Sequence, residues 1–245
     1  MTVKRILLTG AMGRIGQKVF QNCQDDYEFT LADIAPCREA ISSPHQSVLA
    51  DLSDPEGLAD LCEGMDAVVH LAGVPDPTAE FDALLPANIL ATTNLMKAAH
   101  DAGCPRFVFA SSAQTIEGYP VDRQIVSGMA VAPANLYGVT KCYGEALCSY
   151  YATQKGMSCV ALRIGAFEPV EGHELANARD LSAWLSHRDA VHLIVRSIEA
   201  DVDGLFIGHG ISNNRFKRLD LTETKRVLGY APQDDAFVTF ALPIV

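Results

Sequence analysis

Lys4-Arg5-Ile6-Leu7-Leu8-Thr9-Gly10-Ala11-Met12-Gly13-Arg14-Ile15-Gly16 is the stretch on which the fold of this 245-residue chain turns. A short apolar run over 5–9 has the length of a buried strand, and a helical pattern follows over 14–23. The two are joined by a G-x-x-G-x-x-G turn. Gly10 permits the tight turn, Gly13 lets backbone N–H groups approach a pyrophosphate, and Gly16 allows the helix to pack against the sheet. Such a turn is a weak signal alone. With a strand before it and a helix after it, it predicts a dinucleotide site, with Met12, Arg14 and Ile15 among the lining residues.

Outward from this turn, strand-sized runs at 28–33, 47–50, 67–71, 106–110, 158–164 and 204–208 alternate with helical patterns at about 55–63, 80–102, 134–156 and 187–199. Asp54-Pro55 reads as an N-cap with proline at the first helical position, and Ser186 with Asp189 resembles a capping box. Strand–helix alternation of this kind predicts an α/β fold: a Rossmann-type, doubly wound parallel sheet with helices on both faces. The expected division is a nucleotide-binding core over 1–165 and a small substrate-binding region over 166–245, interleaved with the last strands. The long loop 112–133 lies between two candidate catalytic positions.

Composition narrows the function classes. With 49% apolar and 20% charged residues the chain is ordinary for a soluble globular enzyme. Its 19 basic against 30 acidic residues give a net charge of −11, which argues against nucleic acid and anionic membrane surfaces as partners. The N-terminal MTVKRILLTG leads straight into a strand, and no apolar run approaches the length of a membrane span. Seven scattered cysteines form no C-x-x-C pair, so reduced thiols in the cytoplasm are expected. His187 and His192 are five apart and do not share a helix face as i,i+4 ligands would; no metal site is predicted. His70 reads as a hydrogen-bonded core residue, and His209 and Gly210 as loop residues beyond the last strand.

Asp33 ends the second strand at the separation where a carboxylate receives the ribose hydroxyls of an adenosine. It would repel a 2′-phosphate and so favours NAD over NADP, with Arg14 and Arg38 as the cations that could face a phosphate instead. Asp51 and Leu52 follow the third strand, where an acid can meet the adenine amino group. Leu71, Ala72 and Gly73 follow His70, and their small size lets backbone lie against the cofactor.

Tyr137 and Lys141 fall at i and i+4, one face of a helix. A phenol of ordinary pKa about 10 is a poor base at neutral pH unless a cation favours the phenolate. Lys141 is expected to supply that charge. Ser111 and Ser112, directly after the fifth strand, offer a hydroxyl to hold a substrate oxygen.

Taken in order, the glycine turn, Asp33, HLAG at 70–73, Asn88 within PANILATTNLMKAA, FVFASS and YGVTK resemble an extended short-chain dehydrogenase/reductase over essentially the whole chain. Within that family, FVFASSAQTIEGYP, LYGVTKCYGEAL, LRIGAFEP, ARDLSAWLSHRD and VLGYAPQD resemble the uronate dehydrogenases in particular. The resemblance implies a Ser112–Tyr137–Lys141 triad and NAD as cofactor, with Asn88 and Ile164 beside it. It also implies Arg179 as the grip on a substrate carboxylate, which suits a planar guanidinium fork. The substrate-side positions it implies are Pro75, Ser111, Ser112, Ala113, Gln114, Tyr137, Ala166 and Arg179. Pro75, Ala113, Gln114 and Ala166 depart from the family pattern, which has Ser, Asn, His and Ser there; the sugar-contacting polar set is thinned. Paired long helices in the family imply a homodimer or larger assembly.

The leading expectation is an NAD-dependent oxidoreductase acting on a hydroxyl of a carbohydrate or hydroxy acid, with uronate oxidation as best case. A nucleotide-sugar epimerase or dehydratase uses the same triad, but the roughly 80 residues after Ile164 leave little to enclose a nucleotide diphosphate. A non-catalytic dinucleotide sensor would have no need of Tyr137 and Lys141 at this spacing.

Overall fold

Residues 3–37, 41–167 and 177–240 are described in the computed structural model of the chain. The strands are β1 (Lys4–Thr9), β2 (Tyr27–Asp33), β3 (Gln46–Leu49), β4 (Ala67–His70), β5 (Arg106–Ser112), β6 (Ser158–Ile164) and β7 (Leu205–Gly210). They form one parallel sheet in the order β3-β2-β1-β4-β5-β6-β7. The central strands are near-continuous apolar runs because both faces are covered, so alternation would leave polar groups in the core. Ile6, Leu8, Val69, Val108, Val160 and Leu162 point into one layer; Leu7, Val68, Phe107, Phe109, Cys159 and Ala161 point into the other. The second chain segment does not stand apart: β7 completes the sheet, and Leu193, Ile211 and Leu219 join the first of these layers.

The covering helices are α1 (Arg14–Cys23), α2 (Leu58–Cys62), α3 (Phe81–Leu84), α4 (Ala91–Asp101), α5 (Leu136–Lys155), α6 (Ala178–Ala183), α7 (His187–Glu199), α8 (Thr222–Leu228) and α9 (Ala236–Thr239). Several depart from the reading of the sequence. The helix expected to start at Asp54-Pro55 begins only at Leu58: Asp54 accepts from the Glu56 N–H in a local turn, and Gly57 has φ +78°. The helix expected over 80–102 runs without interruption over 81–101, widened by a π-helical turn, Leu85–Leu90, where Pro86 removes an N–H from the ladder. Ser111 and Ser112 lie within β5 and not after it, and His209 and Gly210 belong to β7. His209 is buried there, with Nδ1 against the Asp220 carbonyl.

Ser186 caps α7 as expected, accepting from the Asp189 N–H at 3.0 Å. The Asp189 carboxylate does not close the box. It accepts from the Gln233 and Asp234 N–H groups instead, fastening the C-terminal segment to α7. No helix among the described residues is long and apolar enough to cross a membrane.

Candidate active site

The strand order reverses between β1 and β4, and the loops that leave their C-terminal ends diverge there. This is where a doubly wound sheet opens a crevice. A cavity of about 930 Å³ occupies it. Gly10 makes the turn at its floor with φ +67°, and a Cβ there would stand 2.6 Å from the Ala72 nitrogen. A Cβ on Gly16 would stand 2.4 Å from the Gly10 carbonyl oxygen, so only glycine lets α1 seat on the turn. The N-cap of α1 is Gly13, and no side chain caps that end. Its N–H groups face the crevice as a cradle for phosphate oxygens. The cradle fits a dinucleotide pyrophosphate, and a Cβ at Gly10 or Gly16 would displace the backbone that shapes it.

Asp33, at the end of β2, pins the turn: Oδ2 accepts from the Met12 N–H at 2.8 Å and Oδ1 from the Ala35 N–H at 3.0 Å. Arg14 and Ile15 line the same wall, with Asp51 and Leu52 after β3, and Leu71, Ala72 and Gly73 after β4. Hydrogen bonds from the Ser53 hydroxyl and N–H hold the Asp51 carboxyl below the usual carboxylate range. Arg38 lies outside the described residues.

Asn88 does not reach this crevice. Buried in the π-helical turn, it accepts from the Val74 N–H and donates to the Val74 carbonyl and the Thr140 hydroxyl. It ties the loop after β4 to α5 and contacts neither serine. His70 sits beneath, between the Thr9 and Thr92 hydroxyls at 2.8 and 3.0 Å. Burial, with the charge of Lys141 behind it, takes the His70 pKa down to about 3 and keeps the ring neutral.

The far end of the crevice is built by β5 and α5. Asn135 caps α5 by accepting from the Gly138 N–H. That fixes the first turn, from which Tyr137 and, one turn on, Lys141 enter the crevice. Ser112 closes β5 near the Tyr137 hydroxyl, and its own Oγ accepts from the Gln114 N–H at 3.2 Å. Lys141 donates to the Ala110 carbonyl at 2.8 Å, and its Nζ lies 5.7 Å from the centre of the Tyr137 ring.

The structure also separates the two adjacent serines. Ser111 donates to Glu145 at 2.6 Å, and Glu145 is gripped bidentately by Arg163 at 2.8 Å in a fully buried pair. The Ser111 hydroxyl is committed to this network; the Ser112 hydroxyl is not, and it lies near the tyrosine.

The expected electrostatics are reversed in one respect. Lys141 was to lower the tyrosine pKa, yet burial pushes the Tyr137 phenol above its usual value, and only the Ser112 hydroxyl pulls it back part of the way. The same burial brings Lys141 down to about 8. Desolvation disfavours the charged form of each.

Pro75, Gln114, Ile164, Ala166 and Arg179 line the substrate end, but Ala113 is buried in the core and does not. Gln114 accepts from Asn135 Nδ2 at 2.7 Å through its amide oxygen. Arg179, at the start of α6, meets Glu117 and Asp180. Glu117, Asp180, Glu145 and Arg163 were missed by reading the sequence. Asp180 adjoins Arg179 in the chain, and Glu145 follows Lys141 by four residues on one helix face, so both positions carried a signal. Glu117 carried none, because its partner is 62 positions away.

Residues 6–188 match the model of the NAD dependent epimerase/dehydratase family. The chain is 36% identical to the NAD-dependent glucose-6-phosphate dehydrogenase of Haloferax volcanii over 94% of each protein. It is 32% identical to the L-arabinose 1-dehydrogenase (NAD(P)(+)) of the same organism, over 95% of this chain and 97% of that protein. Among solved structures it is similar to a mutant uronate dehydrogenase from Agrobacterium tumefaciens complexed with NAD. That match has a TM-score of 0.88, 34% identity, and covers all of this chain and 92% of the other.

Proposed function

The chain belongs to the NAD-dependent epimerase/dehydratase family, and from that premise we propose that it is an NAD-dependent dehydrogenase oxidising a hydroxyl of a sugar. One observation supports this above the others: Ser112, Tyr137 and Lys141 meet at one end of the crevice whose other end is the bare glycine cradle. The cradle and Asp33 would hold NAD, which supplies the hydride acceptor when bound. Ser112 holds the substrate oxygen and orients its hydrogen toward Tyr137. The tyrosine hydroxyl takes that proton as general base and returns it in the reverse direction. Lys141, fixed by the Ala110 carbonyl, sets a cation beside the phenolate as it forms, and the positive charge of bound NAD would add to it against the burial that raises the phenol. Glu145 and Arg163 hold Ser111, and with it the end of β5, in register with α5.

The family relatives named above are dehydrogenases of a sugar phosphate, a pentose and a uronate, which supports the sugar class. A homodimer is supported by the apolar side chains of Leu90, Leu136, Val139 and Tyr150, 44–49% exposed on the 85–101 and α5 segments.

The test is direct. Purified protein with NAD and a panel of aldoses, uronates and sugar phosphates should produce reduced cofactor, followed by absorbance, with at least one of them. Silence across the whole panel would end the dehydrogenase reading.

A further inference from the structure

Arg179 enters the crevice with its charge already matched from within the chain. Nε and Nη2 both donate to Glu117 Oε1, at 3.0 and 2.6 Å, and Nη1 donates to Asp180 Oδ1 at 3.1 Å. Each of the three guanidinium nitrogens therefore faces a carboxylate. One cation against two anions leaves the local sum at −1. We propose that this end of the crevice selects an uncharged, hydroxyl-rich sugar and discriminates against uronates and sugar phosphates, with Glu117 as the residue that sets the choice. The proposal rests on the dehydrogenase reading and names its substrate class.

The carboxylates are not free to step aside for an incoming anion. The Glu117 and Arg179 side chains are only 13% and 20% exposed, so separating them strands charge in a poorly solvated site. The loop carrying Glu117 is stapled twice. The Gly118 N–H donates to the Ala132 carbonyl at 2.7 Å, and the buried Arg218 guanidinium holds the Tyr119, Pro120 and Arg123 carbonyls. Asp180 is held in turn by Asn177 Nδ2 at 3.0 Å, and its own N–H is capped by the Asn177 oxygen.

The polar inventory points the same way. The bond from Asn135 orients the Gln114 amide oxygen, which leaves both of its N–H donors to offer a substrate. The Asp180 carboxylate in the crevice wall offers acceptors, and Glu117, outside that lining, acts by neutralising Arg179. A sugar hydroxyl both donates and accepts and satisfies each set; a carboxylate or phosphate only accepts, and meets repulsion from two acids. Overall similarity does not decide the matter, since the relatives named above take a phosphate ester, a uronate and a neutral pentose. The local charge balance does.

Matched substrates test this: glucose against glucuronate and glucose 6-phosphate, and galactose against galacturonate, each with NAD. The expected kcat/KM is at least about tenfold higher for the neutral sugar of each set. Glu117→Gln should move that ratio toward the acid by about tenfold, and Asp180→Asn should move it the same way by less. Melting curves with NAD establish that each variant is folded, and Asp180→Asn serves if Glu117→Gln is not. Titration calorimetry of glucose and glucuronate into the NADH-loaded protein gives a reading that needs no turnover. Turnover with the uronate or phosphate preferred by the wild type overturns the selectivity and leaves the dehydrogenase reading standing. A ratio unmoved in both folded variants also overturns it. No turnover and no binding of any of these sugars overturns both.

Discussion

The two ends of the crevice are made differently. The cofactor end is almost entirely backbone: a positive-φ glycine, a helix start without a side-chain cap, and one carboxylate pinning the turn. The substrate end is made of side chains drawn from β5, α5, α6 and the long loop between β5 and α5, each with a partner elsewhere in the chain. Backbone geometry constrains its residue types tightly, since only glycine fits where a Cβ would collide. A side-chain site can exchange one pairing for another without moving the fold. The contrast predicts that the first end tolerates no change of shape, and that the second can be retuned in substrate while its chemistry is retained.

The largest expected effect separates chemistry from cofactor binding. Tyr137→Phe removes the proton acceptor and keeps the ring, so kcat should fall by roughly a thousandfold or more while NAD affinity stays within a fewfold. Stopped assays together with fluorescence titration of NADH measure both. A variant that loses NAD binding in proportion to its rate would show that the two ends are not separable.

Next in size is the buried scaffold beneath the serines. Glu145→Ala would leave Arg163 charged and unpartnered in the core and release Ser111, at a cost of about 3–5 kcal/mol in folding stability. Urea denaturation of the ligand-free protein checks it. A loss under 1 kcal/mol would mean that the pair contributes position and little stability.

How far these features could be read from sequence follows the same division. The glycine turn, the strand–helix alternation and the Tyr137–Lys141 spacing are local patterns, and the strands fell within a few residues of expectation. A boundary slipped where a local turn competed, with Gly57 delaying α2, and Pro86 widened one turn of the helix over 80–102 without ending it. The substrate end was less legible because its decisive contacts join distant positions. Arg179 alone reads as a carboxylate grip; only the fold shows Glu117 already in that grip. The sign of the Tyr137 shift was likewise beyond the sequence, since i,i+4 spacing gives proximity but not the depth of burial that governs both groups.

That burial gives a third prediction. Lys141 is held down to about 8 against an unfolded value near 10.5, so in the fold its charged form is disfavoured. Below pH 8 both states carry the proton and the fold bears the full penalty, on the order of 3 kcal/mol. The unfolded chain keeps its proton up to about pH 10.5, and the penalty fades as pH rises through that window. Lys141→Met lacks it at every pH. The stability difference, wild type minus variant, should therefore climb between about pH 8 and 10.5 in the ligand-free protein. A flat difference in paired denaturation curves would show that the lysine is not desolvated.

The smallest expected effect asks whether the cofactor end is held by backbone alone. Asp33→Ser removes the two carboxylate oxygens that accept from the Met12 and Ala35 N–H groups and the charge proposed to face the adenosine ribose, but leaves Gly10, Gly13 and Gly16 in place. If the glycine cradle and the open end of α1 carry most of the binding, NAD affinity should drop by only about tenfold, near 1.4 kcal/mol. NADP affinity should rise, because a 2′-phosphate no longer meets a carboxylate. Titrating both cofactors into wild type and variant distinguishes the contributions. A hundredfold loss of NAD with no gain in NADP would assign the main role to the pinning of the turn and not to the ribose, and the cofactor end would then depend on side-chain pairing as much as the substrate end does.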